Sequence, residues 1–374
     1  MTAIRPAAIE AHAYRAPVEA PVTTSFGVMR DRPAVLVRAV DRDGAEGWGE
    51  VWCNFPSVGA EHRARLVADV VAPLLLDRSF AGPEDAFATA SSALDVLAIQ
   101  TGEFGPIAQA VAGVDLALWD LVARRSGMPL YRRLGGASAV SVPAYASGLN
   151  PDGPERPAAE RRRQGYDAFK LKVGFGRERD LRNLAALRET LGDAVTLMID
   201  ANQGFARDEA AAMGRAVAPF RLDWFEEPMR ADAPLDSWRR LAAECPVPLA
   251  GGENLRGAAL DEAIEAGALR VIQPDVGKWG GFSGTLRVAR RALEAGRRYC
   301  PHWLGGGVGL LASLHLLAAV GGDGLLEVDA NPNPLRDLMV PIPEPRDGRM
   351  PVPQGPGLGA APDLAALARW RTWP

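Results

Sequence analysis

The sequence predicts an α/β barrel of parallel strands carrying a smaller α+β cap, and three observations predict it. Seven short apolar runs end in ionisable residues: Lys170 with Lys172, then Asp200, Glu226, Glu253, Asp275, His302 and Glu327. Neighbouring members lie roughly 22 to 30 residues apart, the length of one strand, one helix and two loops in such a barrel. Each gap holds a helix-like segment, whereas the chain before about residue 135 follows a different pattern. Barrels of this kind gather their reacting groups at the carboxyl ends of several strands, so evenly spaced charged ends converge on one mouth.

Taken in order, residues 9–15, 34–40 and 47–51 alternate as antiparallel strands do, with a turn at Asp43-Gly44 between the last two. They predict a small sheet. Helical periodicity follows at 60–76, where Leu66, Val67, Val70 and Val71 share a face, and at 83–100, which Pro83 opens. A strongly apolar helix at 107–126 carries Val111, Val114, Leu118 and Leu121 as its buried stripe; Asp115 and Asp120 on it read as solvated or capping charges. Gly127-Met-Pro129 stops this helix and Leu134-Gly135-Gly136 forms a junction, dividing the chain into a cap (1–135), a barrel (136–330) and a tail (331–374).

The first barrel strand is expected at 140–146, and helices at 157–165, 177–191, 208–218, 234–245, 260–267, 284–296 and 309–320 separate the later strands. Gly280-Gly281 and Gly305-Gly306-Gly307 mark places where backbone approaches a ligand closely or a helix starts tightly. After Glu327 the chain becomes rich in Pro and Gly up to a short helix at 363–370, and this tail is expected to return to the cap.

Composition narrows the function classes. A net charge of −4 over 374 residues offers no basic field for nucleic acid. Cys53, Cys245 and Cys300 are too far apart for a disulfide framework or a cysteine zinc site, which fits a reducing cytoplasm. No export signal begins the chain and no apolar stretch approaches membrane-spanning length, so no membrane partner is expected. A homo-oligomer is expected.

Asp200, Glu226 and Glu253 form an oxygen-only donor set suited to Mg²⁺ or Mn²⁺ and poor for zinc. Glu226 and Glu227 point to opposite faces, and strand register favours Glu226 as the ligand. Lys170 and Lys172 bracket one leucine and project into the same mouth; a second cation and a divalent metal would push Lys172 down from about 10.4 toward roughly 7 to 8, the range of a general base. Asp275 beside His302 fixes the tautomer of the imidazole and raises its basicity. His12, His62 and His315 read as surface or packing residues. Two loops, 23–29 and 52–56, combine aromatic and small polar residues, and serve either as plain hairpin connections or as covers for a ligand.

The ordered set Lys-x-Lys, Asp-x-Asn, Glu-Glu-Pro, Gly-Glu-Asn, Gln-Pro-Asp with Gly-Gly five residues on, then His and Glu, resembles the mandelate racemase subgroup of the enolase superfamily over about 145–327. The cap, the Gly127 to Gly136 junction and the Gly-Pro-Gly-Leu-Gly tail are similar too. Muconate-cycloisomerase and dipeptide-epimerase relatives have a lysine where this chain has Asp275, so those subgroups fit less well. The resemblance implies a modified TIM barrel, (β/α)7β, and removal of the proton alpha to a carboxylate on a small-molecule substrate, with Mg²⁺ stabilising the enediolate. It makes Asp200, Glu226 and Glu253 the metal ligands, Lys172 one acid/base, and His302 the other with Asp275 orienting it. Lys170 and Glu327 would hold the substrate carboxylate, Asn202 would touch the α-hydroxyl, and Phe26, Trp52 and Phe55 would enclose the distal end. Dehydration of an acid sugar to a 2-keto-3-deoxy acid is the outcome placed first. Racemisation of a 2-hydroxy acid and a carboxylate-binding barrel without turnover are the alternatives. A zinc amidohydrolase is disfavoured because its His-x-His strand is missing.

Overall fold

A computed structural model describes residues 3–24, 27–137 and 139–373. Three antiparallel strands, β1 (Pro6–Thr24), β2 (Gly27–Asp41) and β3 (Glu46–Val51), open the chain. The first two form one long hairpin whose pairing runs to Thr24↔Gly27, so Thr23, Thr24 and residues 27–29 lie at its far end. Phe26 lies outside the described residues.

Helical segments follow: α1 (Gly59–Arg65), α2 (Ala72–Leu75), α3 (Pro83–Thr101), α4 (Phe104–Arg125) and α5 (Leu130–Arg133). The predicted helix at 60–76 is interrupted, because Leu66–Val71 is wound as a π-helix between α1 and α2. Helix α4 lies on the small sheet. Gly47 and Gly49 make this possible, since a Cβ on Gly49 would stand 2.1 Å from the carbonyl oxygen of Gly113 on that helix. Burying Val111, Val114, Leu118 and Leu121 contributes roughly 1.5–3 kcal/mol per side chain. By length and composition α4 could cross a membrane, contrary to the sequence expectation, but 89% of its apolar window is buried inside the protein as cap core.

The barrel alternates β4 (Ser141–Leu149), α6 (Glu155–Arg163), β5 (Ala168–Lys172), α7 (Arg177–Leu191), β6 (Thr196–Asp200), α8 (Arg207–Val217), β7 (Phe225–Glu226), α9 (Leu235–Glu244), β8 (Leu249–Gly251), α10 (Ala258–Ala266), β9 (Val271–Ile272), α11 (Gly281–Glu294), β10 (Arg298–Tyr299), α12 (Gly307–Val320) and β11 (Leu326–Asp329). Eight parallel strands with seven intervening helices make the modified (β/α)7β barrel. Strand order runs β10-β9-β8-β7-β6-β5-β4-β11. The interior is a separate buried cluster of Tyr145, Ala168, Met198, Trp224, Ala250, Val271, Cys300 and Leu325, one residue from or beside each strand.

The tail holds α13 (Pro334–Asp337), β12 (Arg349–Pro351), α14 (Leu364–Leu367) and β13 (Arg371–Trp373). Its return to the cap is literal, for β13 pairs with β1 at Ala13↔Trp373. Periodicity could not show two three-residue strands, β12 against β4 and β13 against β1.

Two carboxylates of α4 and β3 clamp cap to barrel. Glu50 accepts from Gly306 N at 2.5 Å and Gly309 N at 2.9 Å at the start of α12, and a Cβ on Gly306 would stand 2.6 Å from it. Asp115 accepts from Ser283 N at 3.0 Å and Ser283 Oγ at 2.6 Å at the start of α11. These glycine clusters therefore serve tight helix starts that receive cap carboxylates. Asp115 and Asp120 are buried, at 1% and 0% exposure, which corrects the solvated alternative.

Candidate active site

The parallel register carries the site residues to one rim. Lys172 pairs with Asp200 and Asp200 with Glu226 on adjacent strands. Glu253, Asp275 and His302 lie two or three residues past their two- or three-residue ladders. Proline explains this on two strands: Pro274 and Pro301 have no N–H to extend the pairing, so the chain leaves the sheet just before Asp275 and His302. Asn202, Gln203 and Glu227 have positive φ (43°, 66° and 33°), strained turns grouped immediately after Asp200 and Glu226.

On one side, Lys172 Nζ lies 2.5 Å from Asp200 Oδ2 and 2.9 Å from Asn202 Oδ1. Lys170, fully buried, sits 2.6 Å from Glu226 Oε1 and 2.7 Å from Glu327 Oε1. Ser147 donates to Glu327 Oε1 at 2.5 Å, and Trp224 and Gln273 donate to Glu226 Oε2 at 3.0 and 2.7 Å. On the other side, His302 Nδ1 lies 2.7 Å from Asp275 Oδ2 and Nε2 2.8 Å from Glu253 Oε2. Lys172 ends β5 and His302 follows β10, so the two come to the rim from strands that are not neighbours in the sheet.

Electrostatics follow from this packing. Burial alone would depress His302, but Glu253, Glu327 and Asp275 outweigh it and raise the imidazole well above its ordinary value. Burial would raise Glu253, yet His302 and Lys278 hold it well below the usual carboxylate range. Glu226 is pushed up to about 7, chiefly by burial, because it shares the single ammonium of Lys170 with Glu327 and faces Asp200. Among the protein's own groups burial and Lys170 lower the pKa of Lys172, but Asp200 outweighs them and raises it; the depression expected for a general base depends on a divalent metal as well as on Lys170.

Sequence reasoning missed Lys278, whose ammonium lies 3.2 Å from Glu253 Oε2, 2.8 Å from Asn254 Oδ1 and 4.6 Å over the Trp52 ring. Its only signal was a cation three residues after Asp275. Trp52 thus reaches the site, its backbone N–H donating to Gly277 O at 3.2 Å. Phe55 packs its ring beside Gly27 at the hairpin tip, so the two cap loops meet. Glu227 turns the other way, accepts from Asn254 at 2.7 Å and lines a cavity of about 450 Å³ between α9 and α10.

The donor set fits a hard divalent cation. Asp200, Glu226, Glu253, Asp275 and Glu327 gather around Lys170, Lys172, Lys278 and His302, a donor set rich in carboxylate oxygens. As they stand, each of the three expected ligands is engaged by a side-chain cation, and no ready-made cage of three or more His, Cys, Asp or Glu side chains exists among the described residues. Metal binding would exchange those partners.

Comparison with known proteins decides the family. Residues 8–135 match the mandelate racemase/muconate lactonizing enzyme N-terminal domain, and 155–366 match the enolase C-terminal domain-like family. The chain belongs to the enolase superfamily. It is 35% identical to D-galactarolactone cycloisomerase of Agrobacterium fabrum, across 97% of this chain and 98% of that one. A crystal structure named mandelate racemase/muconate lactonizing enzyme from Bordetella bronchiseptica RB50 superposes with a TM-score of 0.93 at 55% identity, covering 98% of this chain and 99% of that one. A racemase from Streptomyces coelicolor A3(2), crystallised with bound magnesium, gives 0.89 at 30% identity over 98% and 100%. Other superfamily relatives are named dehydratases and racemases, and like them this chain is an enzyme of the lyase or isomerase type.

Proposed function

We propose that this enzyme removes the α-proton of an acid-sugar carboxylate and expels the β-oxygen, giving a 2-keto-3-deoxy acid. The observation that carries the reading is the geometry of His302, braced by Asp275 at 2.7 Å and touching Glu253 at 2.8 Å, on the same rim as Lys172 and its carboxylate Asp200. Asp200, Glu226 and Glu253 would hold Mg²⁺, which would supply Lewis-acid stabilisation of negative charge on the substrate carboxylate. Lys170 and Glu327, joined at 2.7 Å, orient that carboxylate, and Asn202 orients the α-hydroxyl.

Lys172 Nζ takes the α-proton, and the C–H electron pair becomes the double bond of an enediolate. Its collapse breaks the β C–O bond, and His302 Nε2 protonates the departing oxygen so that water leaves. The enol then takes a proton at the β-carbon and becomes the ketone. Relatives named dehydratase support the loss of water from the substrate. Racemisation is the second reading, favoured by the two acid/base groups and by relatives named racemase; there His302 returns its proton to the opposite face of the same carbon. NMR in D₂O with a panel of acid sugars and 2-hydroxy acids tests this. Formation of a 2-keto acid is expected, whereas α-deuterium exchange with all hydroxyls retained would replace dehydration by racemisation.

A further inference from the structure

We propose that Glu50 and Trp303 are positioning residues for His302: the cap carboxylate fixes Gly306, Gly306 fixes the indole, and the indole holds the turn that carries Asp275, so that seating the cap completes the acid/base group. The inference rests on the acid/base role given to His302 above.

Trp303 follows His302 directly and is 2% exposed. Its ring lies in a slot made of glycine. A Cβ on Gly277 would stand 2.7 Å from it, and one on Gly305 or Gly309 closer still, so the indole meets backbone at three places that leave no room for a side chain. One of those places is the turn after β9. Gly277 N donates to Asp275 Oδ1 at 2.8 Å, and Asp275 Oδ2 lies 2.7 Å from His302 Nδ1. The indole therefore packs on the turn that shapes the partner of the imidazole, while the Trp303 backbone N–H donates to Glu327 Oε2 at 3.1 Å.

The polar edge of the indole is answered from the cap. Trp303 Nε1 donates to Gly306 O at 2.9 Å, and Gly306 N donates to Glu50 Oε1 at 2.5 Å, so one glycine is held by the indole at its carbonyl and by the carboxylate at its amide. Glu50 Oε2 accepts from Gly309 N at 2.9 Å in the same stretch. Glu50 is 1% exposed and stands on β3, the edge strand of the cap sheet. Without its carboxylate, two buried N–H groups at the start of α12 lose their acceptor, and the loop has to shift to satisfy them. A shift of Gly306 moves the indole, and the indole cannot move without displacing Gly277 and with it the Asp275 turn. Lys172, whose partners are Asp200 and Asn202, lies outside this chain of contacts.

The test compares the Mg²⁺-loaded enzyme with its Glu50→Gln variant, which keeps the shape of the side chain but turns one acceptor oxygen into an NH₂ group facing an N–H. Formation of 2-keto acid should fall about 10- to 100-fold, through kcat more than KM, the loss expected of a slightly misplaced acid. Exchange of the α-proton in D₂O, the work of Lys172, should stay within about twofold. In a His302→Asn background the same substitution should lower turnover by no more than about twofold further. A readout without substrate comes from ¹⁵N-histidine NMR, since the chain has four histidines: the ring signals of His302 should move in Glu50→Gln while those of His315, on α12 itself, hold. Trp303→Phe leaves both bonds of Glu50 in place and removes the indole donor; it should show the same split, and it carries the test if Glu50→Gln does not fold. Equal falls in exchange and turnover, an undiminished loss in the His302→Asn background, or His302 signals that stay put would each overturn the brace and leave Glu50 a clamp between cap and barrel. Should the wild type racemise its substrate instead of dehydrating it, the proposed reaction falls, and the same cycle run on inversion still decides the brace.

Discussion

Replacing Asp115 by Asn should flatten one component of the enzyme's stability against pH. Asp115 is 1% exposed on α4 and accepts both the N–H and hydroxyl of Ser283, yet burial pushes its carboxyl from 3.8 up to about 7. In the unfolded chain the group ionises near 3.8; in the folded protein it keeps its proton to about 7. A raised folded pKa means the stabilisation is complete below about 4 and is lost as pH climbs through 7, at about 1.4 kcal/mol per pH unit across the interval. The full loss amounts to about 4 kcal/mol as an order of magnitude. Asn mimics the protonated form, with one oxygen to accept and an amide to donate. Urea unfolding of both proteins at half-unit steps from pH 4.5 to 8 should therefore show the variant gaining steadily on wild type up to about pH 7 and then running parallel. A constant difference over that interval would mean that Asp115 is ionised throughout, the start of α11 stabilising its charge, and the burial argument would fail.

Lys172→Ala and His302→Asn should each lower turnover by about 10² to 10⁴, the range of a single positioned acid or base, measured as 2-keto acid formation. His302→Asn, which leaves Lys172 in place, should still exchange the α-proton in D₂O, whereas Lys172→Ala should not. Stripping Mg²⁺ with EDTA should abolish both reactions and lower Tm, since ion present at 100 times its Kd stabilises the folded state by about 2.7 kcal/mol; an unchanged Tm and undiminished activity would remove the metal from the account. Arg32 and Asp329, 2.5 Å apart and buried, bind the cap hairpin to β11. Arg32→Met should cost about 3–5 kcal/mol in urea unfolding at pH 7 by stranding the Asp329 charge, and adding Asp329→Asn should recover part of that loss.

The spacing of Lys172, Asp200, Glu226, Glu253, Asp275, His302 and Glu327 made the barrel legible, because a strand-loop-helix-loop unit has a nearly constant length and a parallel sheet turns that period into a common rim. What escaped depends on three-dimensional context that a linear period does not carry. Asp115 and Asp120 occupy positions on α4 where a charge ordinarily meets water, and only the docking of α11 and of the tail covers them: Ser283 reaches the first, and Leu358 N donates to the second at 2.7 Å. Lys172 was expected to be depressed by Lys170 and a bound divalent metal together; among the protein's own groups Asp200 at 2.5 Å dominates, because the parallel register sets it directly opposite. Lys278 escaped for a related reason. It follows no apolar run and ends no strand, so nothing in periodicity singles it out, and its meaning arises only where a turn held by Asp275, a carboxylate shared with His302 and an indole from the cap come together. In a barrel of this kind groups at strand ends can be read from the period, whereas contacts made by loops and cap, such as those of Lys278 with Glu253 and Trp52, carry no period and emerge only from the fold.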